Sequence, residues 1–286
     1  MGSGSYSVAD SMMRTANFYS ADVSRDEIFV QRKITNDMDP ANTIRECCDS
    51  EEHPNTIPII VALDVTGSMG SIPDQFIRES MTKMMDILYR SGLRDTQVLF
   101  LGIGDHECDI SPLQVGQFEA DDELLDKWLK DIYLEGGGGG NAGESYLLAW
   151  YYAARNTKID SFDKRSKKGF LFTIGDEPCL KHLPANAQKS IFGDNGIYND
   201  ITADKLLEEA SEKYNVYHFN VTDTYRGSLV KDTQEGWKQR MGDRCIIGPQ
   251  IEIAEKIANI VKDNGVGVPA KKVDNPIEDK AEVEMM

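Results

Sequence analysis

Apolar and polar positions along this chain alternate between two periods. Residues 57–65, IPIIVALDV, form a nearly continuous apolar run, which predicts a strand buried on both faces of a parallel sheet. Further strands are predicted at Gln97–Asp105 (QVLFLGIGD), Gly169–Glu177 (GFLFTIGDE), 216–221 (VYHFNV) and, more briefly, 244–248 (RCIIG). Between them the spacing turns helical. Over Pro73–Tyr89 the proline suits a first turn, and Ile77, Met81, Met84, Met85 and Leu88 make one stripe. Over Asp122–Tyr133, Leu124, Leu125, Trp128, Leu129 and Ile132 share one side. Helices are also predicted over Gly143–Asn156, Ala203–Tyr214 and Gln250–Asp263. Strands alternating with helices predict an α/β fold: a doubly wound, mostly parallel central sheet flanked by helices, Rossmann-like in outline.

Three regions follow. Residues 1–56 are polar and mixed, with little periodicity, and read as an N-terminal arm wrapped on a domain. Residues 57–265 hold the alternating elements. Residues 266–286 are charged and proline-interrupted, and read as a disordered tail.

Composition narrows the function. A 40% hydrophobic content over 286 residues supports a sizeable core. No run of 18 uncharged apolar residues occurs, so no membrane span is expected. The first residues lack a basic segment followed by an apolar one, so no secretory signal is expected. The five cysteines, with Cys47 and Cys48 adjacent, do not suggest a disulfide framework, and a cytoplasmic location is expected. A net charge of −17 argues against nucleic acid as a partner and suits cations.

The candidate chemistry sits where strands end, since ligands of such sheets bind at the carboxyl ends. The first strand ends in DVTGSMG, which spaces Asp64, Thr66 and Ser68 by two. The second ends at Asp105 and the third at Asp176. Carboxylates with hydroxyls are hard donors that select Mg²⁺, with Mn²⁺ or Ca²⁺ as alternatives, over zinc. Five consecutive glycines, 136–140, lie between two amphipathic helices inside one domain. They read as a loop whose backbone approaches a ligand rather than as a linker, since glycine permits positive φ. Each feature also has a plainer reading. Asp64, Thr66 and Ser68 suit helix capping. Asp105 suits a supporting role beside the ligands. Trp128 and Trp150 suit the core, and Glu119, Asp121, Asp122 and Glu123 a solvated face. His53, His106 and the cysteines lack zinc-site spacing.

DVTGSMG resembles the first motif of the metal-ion-dependent adhesion site of von Willebrand factor type A domains, D-x-[ST]-x-S. In order after it, GIGDHECD, GGGGGNAGES and TIGDEP look like segments of a cytosolic, prokaryotic-like subgroup that read roughly aYRDH.D, GGGDxPE and IGDAP. The resemblance covers about residues 57–263 and implies a Mg²⁺ site of Asp64, Thr66, Ser68, a second-loop residue and Asp176. Where the subgroup has Asp in the second loop this chain has Asn141, with Glu144 and Ser145 as alternatives. The implied role is a protein-interaction module, not an enzyme. Its ion would bridge to an Asp or Glu of a protein partner, and family members often serve as adaptors for AAA+ ATPases. The rival expectations are a structural subunit of a larger assembly, such as a phage or secretion particle, and a Mg²⁺-dependent hydrolase. The hydrolase has little support: no G-x-x-x-x-G-K-[ST] loop is present, and no nucleophile stands beside His53, His106, His182 or His218 in the sequence.

Overall fold

A computed structural model of the chain describes residues 4–69, 72–136, 143–194, 196, 199–224 and 230–264, without the side chains of Ser68 and Val230. Glycines 137–140, Asn141 and the segment 266–286 lie outside these residues.

The main sheet has six strands: β1 (Ile57–Asp64), β2 (Thr96–Ile103), β3 (Leu113–Val115), β4 (Gly169–Gly175), β5 (Tyr214–Val221) and β6 (Cys245–Gly248). They lie in the order β6-β5-β4-β1-β2-β3, all parallel except the antiparallel β2–β3 pair. The chain builds outward from β1 to β3, then returns to the opposite side of β1 with β4. The winding direction therefore reverses between β1 and β4, and a crevice is expected there. The fold class is the α/β arrangement expected from the sequence.

The eight described helices of eight residues or more are α1 (Val8–Phe18), α2 (Met81–Arg90), α3 (Asp122–Lys130), α4 (Leu147–Arg155), α5 (Ala185–Phe192), α6 (Ala203–Lys213), α7 (Val230–Met241) and α8 (Ile253–Asn264). The apolar run of β1 is shared between two cores. Ile59, Val61 and Leu63 face one with α2 and α8, while Ile60 and Ala62 face the other with α4 and α6. That two-sided burial is why β1 shows no alternation in sequence. The predicted stripe Ile77, Met81, Met84, Met85 and Leu88 is buried throughout, and the helix it belongs to begins at Ile72, with a π-turn over Phe76–Ser80.

Several expectations are corrected. Helix α3 stops at Lys130, three residues short of Tyr133, because Gln114 of β3 captures the Tyr133 backbone: its Oε1 accepts from the amide and its Nε2 donates to the carbonyl, each at 2.8 Å. Leu124 is exposed rather than part of the buried side, and Trp128 is only half-buried, under Lys127. The acidic stretch before α3 is not simply a solvated face. Asp121 caps the helix, Glu119 is buried against the Trp128 indole N–H, and Asp122 is buried in an ion pair with Arg14 at 2.6 Å. Helix α4 starts at Leu147, not Gly143. Glu144 instead bridges to Cys179, its amide donating to Pro178 and its carbonyl accepting from Leu180.

The arm is built into the fold. Tyr6, Tyr19, Ile28, Phe29 and Met38 are buried in the α2–α8 core, and the Arg78 guanidinium donates to the carbonyls of Tyr19, Ser20 and Val23. Arg45–Cys47 pairs in parallel with Thr157–Ile159.

Candidate metal centre

The three central strands deliver their acids to one end of the sheet. Asp64 closes β1, opposite Ile103 of β2, and Leu63 stands opposite Ile174 of β4. Asp105 follows β2 by two residues and Asp176 follows β4 by one. All three are buried, at 0%, 1% and 4% exposure.

Each is held differently. The chain turns after Asp64, and that turn folds back on the carboxylate: Oδ1 accepts from the Thr66 amide at 3.0 Å and from the Thr66 hydroxyl at 2.6 Å. This local closure is what short polar side chains do when a strand ends. Oδ2 accepts from the Tyr146 hydroxyl at 2.8 Å. Tyr146 is fully buried, packed edge-on against His218 and Trp237. It reaches Asp64 only because residue 175 is glycine, since a Cβ there would lie 1.8 Å from the Tyr146 hydroxyl oxygen. The Trp237 indole N–H in turn donates to the Glu177 carbonyl at 2.9 Å, fixing the loop that carries Asp176.

Asp105 organises the loop after β2. Its Oδ1 accepts from the Glu107 amide at 2.8 Å and from the Ser145 hydroxyl at 3.5 Å, and its own amide donates to Asp109 at 2.8 Å. Ser145 also accepts from the His106 amide and meets His106 Nδ1 at 2.8 Å. Asp105 Oδ2, Glu144 Oε2 and His106 Nε2 are buried without hydrogen-bond partners among the described residues.

The electrostatics are one-sided. Among the described residues, Asp64, Asp105 and Glu144 form no ion pair. Burial pushes the Asp64 carboxyl up to about 7, against the pull of the Thr66 and Tyr146 hydrogen bonds and with the charge of Asp176 adding to the rise. Burial likewise pushes Glu144 up to about 10, with Asp64, Asp105, Asp109 and Glu177 contributing in that order. Tyr146 is raised by burial and by the charges of Asp64, Asp176 and Glu144. His106 is lowered by burial, although Asp105 and Glu107 oppose the fall, so no imidazolium is favoured here to balance the acids.

The donors gathered here are carboxylates and hydroxyls, the oxygen ligands that a hard divalent cation would use. Buried carboxylates are normally paired or bound to metal, and here the described compensation is protons and neutral donors. Among the described residues no three His, Cys, Asp or Glu side chains make a metal cage by themselves. The ion would therefore need hydroxyl or amide oxygens as well as Asp64 and Asp176.

Of the sequence-predicted ligands, Asp64 and Thr66 are in contact, and Asp176 is close enough to Asp64 to raise it. The Ser68 side chain and Asn141 lie outside the described residues. Of the second-loop alternatives, Glu144 is raised in part by the charge of Asp64, whereas Ser145 is hydrogen-bonded to Asp105 and His106. Sequence reasoning missed Tyr146. A tyrosine beginning an apolar helix reads as core, and nothing in its spacing marks the hydroxyl as a partner of Asp64.

No family model matches the sequence, and no curated protein matches it. Among solved structures the chain is similar to the pilus adhesin SpaC from Lactobacillus rhamnosus GG, with TM-score 0.46 and 10% identity over 81% of this chain and 33% of that one. It is similar to the vWF domain of the type V pili tip protein Mfa5 from Porphyromonas gingivalis, with TM-score 0.49 and 10% identity over 76% of this chain and 98% of that one. It is also similar to an aerotolerance-related membrane protein from Bacteroides fragilis, with TM-score 0.40 and 14% identity over 73% and 98%. The chain spans about a third of the length of the pilus adhesin. All three TM-scores lie below 0.5, so the fold assignment rests on the sheet topology itself. No described helix is long and apolar enough to cross a membrane.

Proposed function

We propose that this chain is a protein-interaction module of the von Willebrand factor type A kind, whose acidic centre holds Mg²⁺ or a similar cation. The observation that carries this reading is the set of buried carboxylates without an ion-pair partner, Asp64, Asp105 and Glu144, beside Asp176 where the winding reverses. The ordered motifs of the sequence support it.

The residues that would hold the ion are Asp64, Thr66, Ser68, Asp176 and one of Asn141, Glu144 or Ser145. When bound, it supplies an electrophilic centre for a carboxylate of another protein. The chain's own groups prepare that centre. Thr66 and Tyr146 orient both oxygens of Asp64. Gly175 leaves room for the Tyr146 hydroxyl. In the cation-free protein, Glu144 holds its proton at neutral pH and adds no charge. The partner is a protein presenting Asp or Glu. An AAA+ ATPase is the partner class that the motif resemblance suggests, and the cytoplasm is the matching location.

Because the chain carries a net charge of −17, an acidic partner is repelled at long range and the contact is short-range. Pull-downs from native extract, with and without EDTA at low and high salt, test the reading. Capture is expected to fail in EDTA and to weaken less in high salt. Capture that survives EDTA and is lost in salt would instead indicate a basic partner on surface carboxylates.

A further inference from the structure

At the opposite, amino-terminal end of the sheet lies a cavity of about 280 Å³. Its character is the reverse of the acidic centre. Arg94, Arg165, Lys167 and Lys168 line it, with Asp95 as the one acidic residue in its wall. Two of these cations are committed elsewhere. Arg165 pairs with Asp49 and donates to the Thr56 carbonyl, and Lys168 donates to the Ser211 carbonyl at 2.6 Å. Asp95 is also occupied: one carboxylate oxygen accepts from the Asn55 amide at 3.0 Å, and the other lies 3.5 Å from His53. The Arg94 and Lys167 side chains have neither a hydrogen bond nor an ion pair among the described residues. The cavity therefore carries net positive charge in a strongly acidic chain, with two cationic heads uncommitted.

Ser161 is an independent observation. It lines the same cavity at 3% exposure, and its hydroxyl is buried without a partner. A buried hydroxyl ordinarily finds a partner, because leaving it unbonded is costly. Here a ligand oxygen would supply one. The remaining wall is part apolar, from Ile57, Pro58, Leu93 and Phe170, and part polar, from Asn55, Thr56, Asn215 and Asn264. A cationic rim, an orphaned hydroxyl and a wall of mixed apolar and amide character call for a molecule with an anionic group and an organic body. The volume is close to the lower end of ordinary small-ligand pockets, roughly 300 Å³.

We infer that this cavity binds a small organic phosphate, its phosphate held by Arg94, Lys167 and the Ser161 hydroxyl and its body against Pro58 and Phe170. Planar guanidinium recognition of phosphate is strong and geometrically specific. The site is separate from the acidic centre and needs no divalent ion.

Calorimetric titration of the full chain with AMP, and with inorganic phosphate, in EDTA at low salt tests the inference. EDTA keeps the result independent of any ion at the acidic centre. AMP is expected to bind with one saturable site, at least ~5-fold tighter than inorganic phosphate, since the apolar wall adds to the anion contact. The double variant Arg94→Gln/Lys167→Gln is expected to lose at least ~10-fold in affinity, and Ser161→Ala roughly 3- to 10-fold, from the loss of charged hydrogen bonds. Both exposed cations can be replaced without touching the core, so an unchanged melting temperature is expected for the double variant. Absence of saturable AMP binding, equal affinity for the two probes, or full affinity in the double variant would overturn the inference.

Discussion

Replacing Tyr146 by Phe removes one hydroxyl and almost nothing else. The ring stays packed against His218 and Trp237. What is lost is the donor to Asp64 Oδ2 at 2.8 Å, with a long 3.4 Å contact from the Glu177 amide. A hydrogen bond to a charged group contributes about 1.5–3 kcal/mol. All of it favours the ionised Asp64, so its loss raises the carboxyl by roughly one to two units at ~1.4 kcal/mol each. In the native protein burial pushes Asp64 up to about 7, which leaves roughly half of it ionised at neutral pH. In the variant roughly 1–10% would be ionised there. A cation that needs the carboxylate must then displace a proton, and the apparent Mg²⁺ affinity at pH 7 should fall roughly 5- to 50-fold. By pH 9 the loss should shrink to within about twofold, because both proteins are then largely ionised. Calorimetric titration with Mg²⁺ at pH 7 and pH 9 measures both numbers. An equal loss at the two pH values would show that the hydroxyl acts through geometry and not through the proton. No loss at either would refute its support of Asp64.

The same burial makes cation-free stability depend on pH. Asp64 and Glu144 are raised in the folded chain, so their protonated forms are favoured there; their contribution is full at acid pH and is lost as pH rises through about 7 and then about 10. The melting temperature in EDTA should therefore fall from pH 5 to pH 8 and be restored by Mg²⁺ more strongly at pH 8; a flat profile would contradict this. Gly175→Ala places a methyl 1.8 Å from the Tyr146 oxygen, and should cost at least ~1–3 kcal/mol in urea unfolding along with Mg²⁺ affinity, whereas tolerance would show that Tyr146 can move. Arg14→Ala strands the buried Asp122 carboxylate and should cost about 3 kcal/mol, unless the arm contributes nothing to the fold.

The parts of the fold that were legible were those buried on two sides. IPIIVALDV and GFLFTIGDE read as strands because both cores draw on them. What stayed hidden was held by a few long-range contacts. In α1 Ser11 alone is fully buried, and Met12, Met13 and Phe18 face outward, so no apolar stripe announces the helix. In α7 the buried side is Thr233, Trp237 and Met241, a four-residue spacing diluted by a polar first member. The three-residue β3 is too short to show a period, and its Gln114 ends α3 from outside that helix. The convergence of Asp64, Asp105 and Asp176 on one end of the sheet was legible because each follows an apolar run. The upward push on Glu144 and the contact of the Tyr146 hydroxyl with Asp64 were not, since both depend on burial that only the assembled sheet creates.

The central claim is that the acids at the carboxyl end of the sheet form a divalent-cation site. It is tested most directly by calorimetric Mg²⁺ titration of EDTA-stripped protein beside the Asp64→Asn variant at pH 8, with circular dichroism to verify folding. The native chain should bind one ion, and the folded variant should bind at least ~10-fold more weakly, having lost the carboxylate charge that Thr66 and Tyr146 orient. Equal affinity in the two proteins, or no binding by the native chain, would contradict the account.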